Sequence, residues 1–145
     1  MPGMLSITKK AGYGLVAMTH LATLEDGQVA SAREIAELFG VPSSLLMNVL
    51  KELSAAGFVQ STRGARGGYR LSHDPTEISM ADIVIALEGP IRFADCTGME
   101  PKGCRMVEKC PIADPVRKVN ERIYEVLREV HLQDMLNDPT HPEQN

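Results

Sequence analysis

The stretch SAREIAELFGVPSSLLMNVLKEL, residues 31–53, decides the fold of this chain, because it carries two helix signals separated by one glycine. Ser31 and Glu34 have the spacing of a capping box, which predicts a short helix over 32–39. Gly40 ends that helix, and the Val-Pro pair after it suits the opening of a second one, since proline costs least in a first turn. The residues expected to be buried are Ile35, Ala36 and Leu38 in the first helix and Leu46, Val49, Leu50 and Leu53 in the second. Two short helices joined at a glycine are typical of a helix-turn-helix, although any pair of antiparallel helices would give the same pattern.

Residues 58–71 continue with the pattern of a β-hairpin. Strands are predicted over 58–61 and 69–71, on either side of the loop TRGARGG. The glycines let the loop approach a groove closely, and Arg63 and Arg66 can bond phosphates or enter a narrow minor groove. A phosphate-binding P-loop is excluded, because no Gly-Lys-Ser/Thr follows and no helix opens after the loop. The hairpin is therefore predicted to be the wing of a winged helix-turn-helix, and the alternative is a solvated hairpin with incidental charge.

The second helix and the wing together supply the side chains expected to contact DNA. Ser44 and Asn48 can hydrogen bond to base edges and Lys51 to a phosphate, although each could equally be an ordinary exposed residue. The full set predicted to bind DNA is Ser43, Ser44, Asn48, Lys51, Arg63, Arg66 and Tyr69.

The composition is that of one DNA-binding domain with an appendage. At 145 residues, with 43% hydrophobic and 23% charged residues, the chain can bury one core of ordinary size. The net charge of −4 conceals an asymmetry: residues 1–71 carry seven Lys/Arg against five Asp/Glu, whereas residues 72–145 carry eight against fourteen. This difference agrees weakly with a DNA-facing first half. No apolar run is long enough to cross a bilayer and no secretory signal pattern opens the chain, so a cytoplasmic protein without a membrane partner is expected.

Further helices are predicted on both sides of this unit. Thr8 can cap a helix over 9–24, and Ser79 with Asp82 can cap a helix over 80–88 that ends at Gly89. The apolar positions near helical spacing in the first of these are Tyr13, Val16, Ala17, Leu21 and Ala22. Both helices are expected to pack on the helix-turn-helix.

A long helix is predicted from Asp114 to Asp134, with an apolar stripe that has no later partner in the chain. Pairing with a second copy would bury the stripe and would match a palindromic operator, the alternative being packing on its own domain. The fold class is mainly α with a small β-hairpin. The expected division is a winged helix-turn-helix domain over 1–90, a cysteine-bearing loop over 91–112, a dimerisation helix over 113–136 and a disordered tail over 137–145.

Cys96, Cys104 and Cys110 are the chain's three cysteines. An odd number in a reducing compartment disfavours a disulfide framework, and the closely spaced cysteine pairs usual for structural zinc are missing. Three widely spaced thiolates on a loop favour an iron–sulfur cluster; zinc and redox-active or structural cysteines remain alternatives. The carboxylates near enough in sequence to complete the ligand set are Asp95, Glu100, Glu108 and Asp114.

An enzyme is the other class of function to weigh. The cysteine loop contains no histidine, and the chain has neither a metalloprotease nor a nucleophile motif. A non-enzymatic regulator is therefore expected.

Several stretches together resemble the Rrf2 family of bacterial transcription regulators. They are Leu5-Ser6-Ile7-Thr8 with Tyr13, the Ser31 to Ala36 segment, the wing from Arg63 to Leu71, the Ile78 to Val84 stretch and Glu88-Gly89-Pro90. The resemblance covers about residues 4 to 135, and a wing followed by three cysteines is a specific combination.

The resemblance implies a homodimer in which Cys96, Cys104 and Cys110 hold a [2Fe-2S] or [4Fe-4S] cluster that tunes operator binding in response to iron, redox state or nitric oxide. The spacing of the cysteines is closer to that of the iron-responsive branch. The family's cluster-assembly regulator has a histidine ligand where this chain has Ala113, and its nitric-oxide sensors can use an aspartate where this chain has Gly12. The fourth ligand is therefore open.

Overall fold

The computed structural model describes residues 7–93 and 110–137. Its elements, in chain order, are α1 (Lys9–Ala22), α2 (Ala32–Phe39), α3 (Ser43–Ala55), β1 (Val59–Thr62), β2 (Gly68–Leu71), α4 (Met80–Glu88), α5 (Ala113–Glu129) and α6 (Leu132–Leu136). This is the mainly helical fold with one antiparallel hairpin that the sequence predicts. We call α1 to α4 with the hairpin the reading head. Within the described ranges, no helix is both long enough and apolar enough to span a bilayer.

Helix α1 begins at its predicted cap, where the Thr8 hydroxyl accepts the N–H of Ala11 at 3.1 Å. Of the apolar positions near helical spacing, Ala17 and Leu21 are buried, Tyr13 and Ala22 are half-buried, and Val16 is 39% exposed. The buried face also includes Ala11, Leu15 and Met18, which lie four and three residues apart. The small residues Ala11 and Gly14 belong to this face, and the missing side chain at Gly14 lets Leu87 of α4 pack closely.

Helices α2 and α3 form the predicted helix-turn-helix. The Ser31 hydroxyl accepts the Glu34 N–H at 3.1 Å, and the Glu34 carboxylate accepts the Ser31 N–H at 3.3 Å, which completes the capping box. Gly40 has a φ of +68° at the turn. The four α3 residues that were predicted to be buried are confirmed as buried. Leu38 of α2, also predicted to be buried, is 58% exposed, because it lies off the helix face set by Ile35 and Ala36.

The hairpin begins one residue later than predicted and pairs Val59 with Leu71 and Thr62 with Gly68. It is fastened to the helices by a bridge between Tyr69 and Ala30, whose backbones exchange two hydrogen bonds of 2.7 and 3.0 Å. This pairing places the wing directly beside the first turn of α2. The wing and the helix-turn-helix are therefore one unit.

The single helix predicted from Asp114 to Asp134 is in fact two helices. Val130 is extended, with φ −91° and ψ 118°, and its carbonyl accepts the N–H of Met80 at 2.7 Å. Leu132 donates to the carbonyl of Ile78 at 3.0 Å and buries its side chain completely in the core. Backbone pairing with the segment before α4 therefore replaces helical hydrogen bonds at this point. The predicted tail at 137–145 lies, after Asn137, outside the described residues.

Candidate nucleic-acid interface and cysteine segment

Helix α3 presents a continuous exposed face opposite its buried one. Ser43, Ser44, Asn48 and Lys51 are all exposed, and the last three lie four and three residues apart on one side of the helix. The buried residues Leu46, Val49, Leu50 and Leu53 fix the opposite side against the core, each no more than 1% exposed. The structure thus brings the four predicted α3 residues together on one surface.

The wing carries the two predicted arginines at its exposed tip. Arg63 and Arg66 stand in the loop between β1 and β2, and within the described chain neither forms an ion pair. Gly67 at the tip has no room for a side chain, because an added β-carbon would collide with the carbonyl oxygen of Thr62. Two guanidinium groups on an exposed tight turn, with no ion pair among the described residues, can contact phosphates or a minor groove.

Tyr69 differs from the other predicted DNA-binding residues. Its ring is half-buried and packs against the core, while its backbone makes the bridge to Ala30. In this position Tyr69 fixes the wing to the segment before α2.

One residue near this surface, Lys10, escapes the sequence analysis, and a second, Met47, is unusually exposed. Lys10 of α1 pairs with Glu52 of α3 at 2.8 Å, which offsets a negative charge beside Lys51. Met47 is 45% exposed within the α3 face, although methionine is ordinarily a core residue.

Cys110 is the one predicted cluster ligand that lies within the described residues; Cys96 and Cys104 lie outside them. Cys110 is half-buried three residues before α5, and its carbonyl accepts the N–H of Ala113 at 3.3 Å. The amino end of a helix favours negative charge, which suits a thiolate or an anionic group bound to one. Asp114, predicted as a possible fourth ligand, is exposed and pairs with Arg117 at 3.1 Å. The described residues alone contain no group of three metal-ligating side chains.

We call residues 91–112 the cysteine segment. Its other described end, residues 91–93, is also attached to α5. The N–H of Phe93 donates to the Asn120 side-chain oxygen at 2.6 Å. The two described ends, 91–93 and 110–112, therefore lie at the middle of α5 and at its first turn.

Helix α5 is loosely seated on the reading head. It has no buried residue, although it contacts α4. A cavity of about 500 Å³ lies between the start of α1, the end of α4 and α5, lined among others by Ala11, Val84, Phe93, Ile123 and Leu127. On the outer side, Ile112, Val119 and Val126 are exposed at intervals of seven residues. Such spacing is typical of a helix that pairs with another helix.

Comparison with known proteins gives the chain's family. The sequence model of the Rrf2 family, described as iron-dependent transcriptional regulators, matches residues 7–138. Among solved structures, CymR of B. subtilis, described as the global cysteine regulator, is 30% identical, with a TM-score of 0.75 over 91% of this chain and 96% of CymR. The oxidized form of Staphylococcus aureus CymR is 27% identical, with a TM-score of 0.73 over 92% of this chain and 98% of that one.

IscR of T. potens is similar to a comparable degree. It is 31% identical, with a TM-score of 0.72 over 97% of this chain and 94% of IscR. The family match spans the helix-turn-helix, the wing, the cysteines and α5, and these structures share nearly the whole chain. This protein belongs to the Rrf2 family of DNA-binding transcriptional regulators.

Proposed function

We propose that this protein is a homodimeric regulator that binds operator DNA through α3 and the wing, and that an iron–sulfur cluster held by Cys96, Cys104 and Cys110 modulates this binding. One observation carries the regulatory part. Both described ends of the cysteine segment are attached to α5, through the Phe93–Asn120 hydrogen bond of 2.6 Å and through Cys110 at the helix start. A change within the segment therefore acts on α5.

The DNA-binding part is supported by the shape and charge of the reading head. Asn48 and Ser44 offer donors and acceptors that can distinguish base pairs in a major groove, and Arg63 and Arg66 can reach the flanking backbone or minor groove. Lys51 adds a phosphate contact on the same side. A helix 13 residues long with one exposed polar face fits the groove as recognition helices do.

The dimer is supported by the uncovered outer stripe of α5. Ile112, Val119 and Val126 would leave water if the same helix of a second copy packed against them. A two-fold pair of reading heads then faces two half-sites of a palindrome.

The chemistry of the donor set supports a cluster. Thiolates are the usual protein ligands of iron–sulfur clusters, which supply a charge that changes with oxidation, iron supply or attack by small molecules. Cys110 stands where the α5 dipole favours a negative ligand. Asp114 is the nearest described carboxylate in sequence and would have to give up Arg117 to act as a fourth ligand.

The path from the cysteines to the DNA runs along α5. Its amino end carries Cys110, and its carboxyl end is fixed to the reading head by the backbone pairing of Val130 with Met80 and by the buried Leu132. Because α5 has no buried residue and borders a cavity, it can tilt about this fixed end at little packing cost. In a dimer, a tilt of α5 changes the separation of the two reading heads, and a modest population shift alters operator occupancy.

A second candidate is a thiol switch without a cluster. It is favoured by the similarity to CymR, which in B. subtilis is described as the global cysteine regulator and which in Staphylococcus aureus has been solved in an oxidized form as well as in a structure without that description. The same three cysteines would form the thiol switch, and the same path through α5 would connect it to the DNA-binding residues. Structural zinc at these cysteines is the remaining alternative.

The test is anaerobic purification followed by absorption spectroscopy, iron, zinc and sulfide counts, and titration of labelled operator DNA selected from a random library. Wild type is compared with Cys104→Ala, Cys110→Ala and Asp114→Asn. Equal iron and sulfide that disappear in the cysteine variants, with operator affinity changing between holo and apo protein, is the expected result. An unchanged spectrum and cluster stability in Asp114→Asn would exclude Asp114 as a ligand.

Other outcomes point elsewhere. Zinc without iron indicates a structural site, and a reversible change in affinity on thiol oxidation of metal-free protein establishes the thiol switch. Operator binding that is the same in every cysteine variant and in every state would overturn the regulatory proposal. Failure to select any sequence over random DNA would overturn the DNA-binding assignment of α3.

A further inference from the structure

The cavity between the start of α1, the end of α4 and the inner side of α5, which we call the α5 cavity, is larger than folded proteins leave empty. Its volume is about 500 Å³, and its walls include Ala11, Val84, Phe93, Ile123 and Leu127. Protein interiors contain few voids larger than a water molecule, and apolar walls offer water no hydrogen bonds. A volume of this size with mostly apolar walls is typical of a pocket for a small molecule.

Among the described residues that line the α5 cavity, Glu88 carries the one carboxylate. The hydroxyl of Thr8 donates a hydrogen bond to its Oε1 atom at 2.7 Å, and the same hydroxyl accepts the N–H of Ala11 at 3.1 Å. Thr8 is thereby fixed at the cap of α1 and holds the carboxylate at the cavity. No cation of the described chain pairs with Glu88.

The end of α4 adds to the negative charge of Glu88. The carboxyl end of a helix carries a partial negative charge, which cations stabilise. Glu88 is the last residue of α4, and the last turn of this helix contains no basic residue. Arg92 also lines the cavity, but it already takes part in an interaction of its own. The α5 cavity is therefore complementary to a ligand that carries a positive charge.

We propose that the α5 cavity is a binding site for a small molecule that combines an apolar body with a protonated amino group. The apolar body contacts Val84, Ile123 and Leu127, which are only half-buried in the single chain. The ammonium group donates to the Glu88 carboxylate at the negative end of α4. A carboxylate on the same body would be repelled by Glu88, and a hydroxyl would lack the charge.

Binding at this site acts on the helix that joins the cysteine segment to the reading head. The ligand fills the space into which α5 can tilt, so it holds α5 in one position. This consequence for regulation rests on the proposed function, whereas the binding itself does not.

The experiment compares three head groups on two apolar bodies. The probes are hexylamine, hexanol and hexanoate, and benzylamine, benzyl alcohol and benzoate, each titrated into the full chain at neutral pH and followed by calorimetry. At least one amine should bind saturably, with an affinity about fivefold higher than that of the matching alcohol, which is the advantage typical of a partly exposed ion pair. The matching carboxylate should bind most weakly.

Two variants and one control connect the binding to the cavity. Glu88→Gln keeps the shape of the side chain and an acceptor for Thr8 but removes the charge, so the advantage of the amine over the alcohol should disappear. Val84→Phe fills part of the cavity and should weaken the binding of every probe. Glu121→Gln removes an exposed carboxylate of α5 that does not line the cavity, and this variant should bind the amine as the wild type does. Urea unfolding confirms that each variant is folded.

The outcomes separate the binding site from the function proposed above. Absence of saturable binding by both amines would overturn the inference and leave the DNA-binding and cysteine proposals intact. Equal binding of amine and alcohol, or an amine advantage that persists in Glu88→Gln, would overturn it as well. Amine binding that weakens as the protein concentration rises would assign the cavity to a second copy of the chain and also overturn it. Operator affinity that is the same with and without bound amine would contradict the path through α5 and leave the binding site in place.

Discussion

Replacement of Gly68 by alanine tests how the wing is attached to the backbone at Ala30, just before α2. A β-carbon on Gly68 would lie 2.7 Å from the carbonyl carbon and 2.8 Å from the carbonyl oxygen of Ala30. Ordinary contact begins near 3.4 Å, so the two backbone segments must separate by about 0.6 Å. The two hydrogen bonds between Tyr69 and Ala30, now 2.7 and 3.0 Å, would lengthen to about 3.3 and 3.6 Å.

The cost follows from which bond is lost. At about 3.6 Å the Ala30 N–H no longer bonds to Tyr69, and because Ala30 is only 3% exposed, that donor has little access to water. A buried unpaired donor costs about 1–3 kcal/mol, and the weakened second bond adds a fraction of that. We expect Gly68→Ala to lower the free energy of unfolding by about 2 kcal/mol and to weaken operator binding through the displaced wing.

The assay is urea unfolding followed by circular dichroism, with operator titration on the same preparations. Gly12→Ala is the matched control, because a β-carbon on Gly12 meets nothing within 4 Å. In the interior of α1 it should stabilise the protein by about 0.5–1 kcal/mol. If Gly68→Ala unfolded at the same urea concentration as wild type or a higher one, the close attachment of the wing to Ala30 would be refuted.

Four further predictions follow from single contacts. Arg66→Ala should weaken binding to all sequences and reduce the slope of log affinity against log salt by about 2 for a dimer, as measured by titration at several salt concentrations; an unchanged slope removes Arg66 from the phosphate contacts. Leu132→Ala should lower the free energy of unfolding by about 3 kcal/mol in urea, because the side chain is fully buried; a loss below about 1 kcal/mol contradicts its role as an anchor. Val126→Glu should convert dimer to monomer in sedimentation and weaken operator binding, and a persistent dimer would place the interface elsewhere. The hydroxyl and the N–H of Thr76 donate hydrogen bonds to the Asp74 carboxylate at 2.6 and 2.9 Å and lower the pKa of Asp74 below 3.8. The stability that these bonds contribute is therefore complete above pH 3.8 and is lost as the pH falls through the lowered pKa. Thr76→Val should raise the Asp74 pKa in an NMR titration, and an unshifted titration curve contradicts this.

The parts of the fold that the sequence predicts are those set by local interactions. Ser31 with Glu34 and Ser79 with Asp82 specify helix starts through contacts three residues apart, and the structure confirms both capping boxes. The buried face of α3 is equally local, since four apolar residues at helical spacing define it. These signals place the helix-turn-helix and so the four candidate residues on α3.

The predictions from sequence fail where a distant segment of the chain determines the local structure. Val130 lies outside the helix because its carbonyl accepts the N–H of Met80, fifty residues earlier in the chain. The periodicity of the sequence carries no signal for such a long-range pairing. Val16 is exposed although it is apolar and near helical spacing, whereas Gly14 and Ala11 belong to the buried face and Gly14 leaves room for Leu87 of α4. The cysteine assignments stay predictions, since Cys96 and Cys104 lie outside the described residues.

The attachments of α5 make dimerisation and regulation parts of one proposal. The outer stripe of this helix is exposed on a single chain, and its inner side borders a cavity. Its amino end belongs to the cysteine segment and its carboxyl end to the reading head. A second copy that covers the stripe gives α5 a surface to move against, and only then does a tilt at the Cys110 end alter the distance between two reading heads. A monomer would keep the cysteines and the DNA-facing residues but would lack the second reading head whose spacing the proposed signal controls.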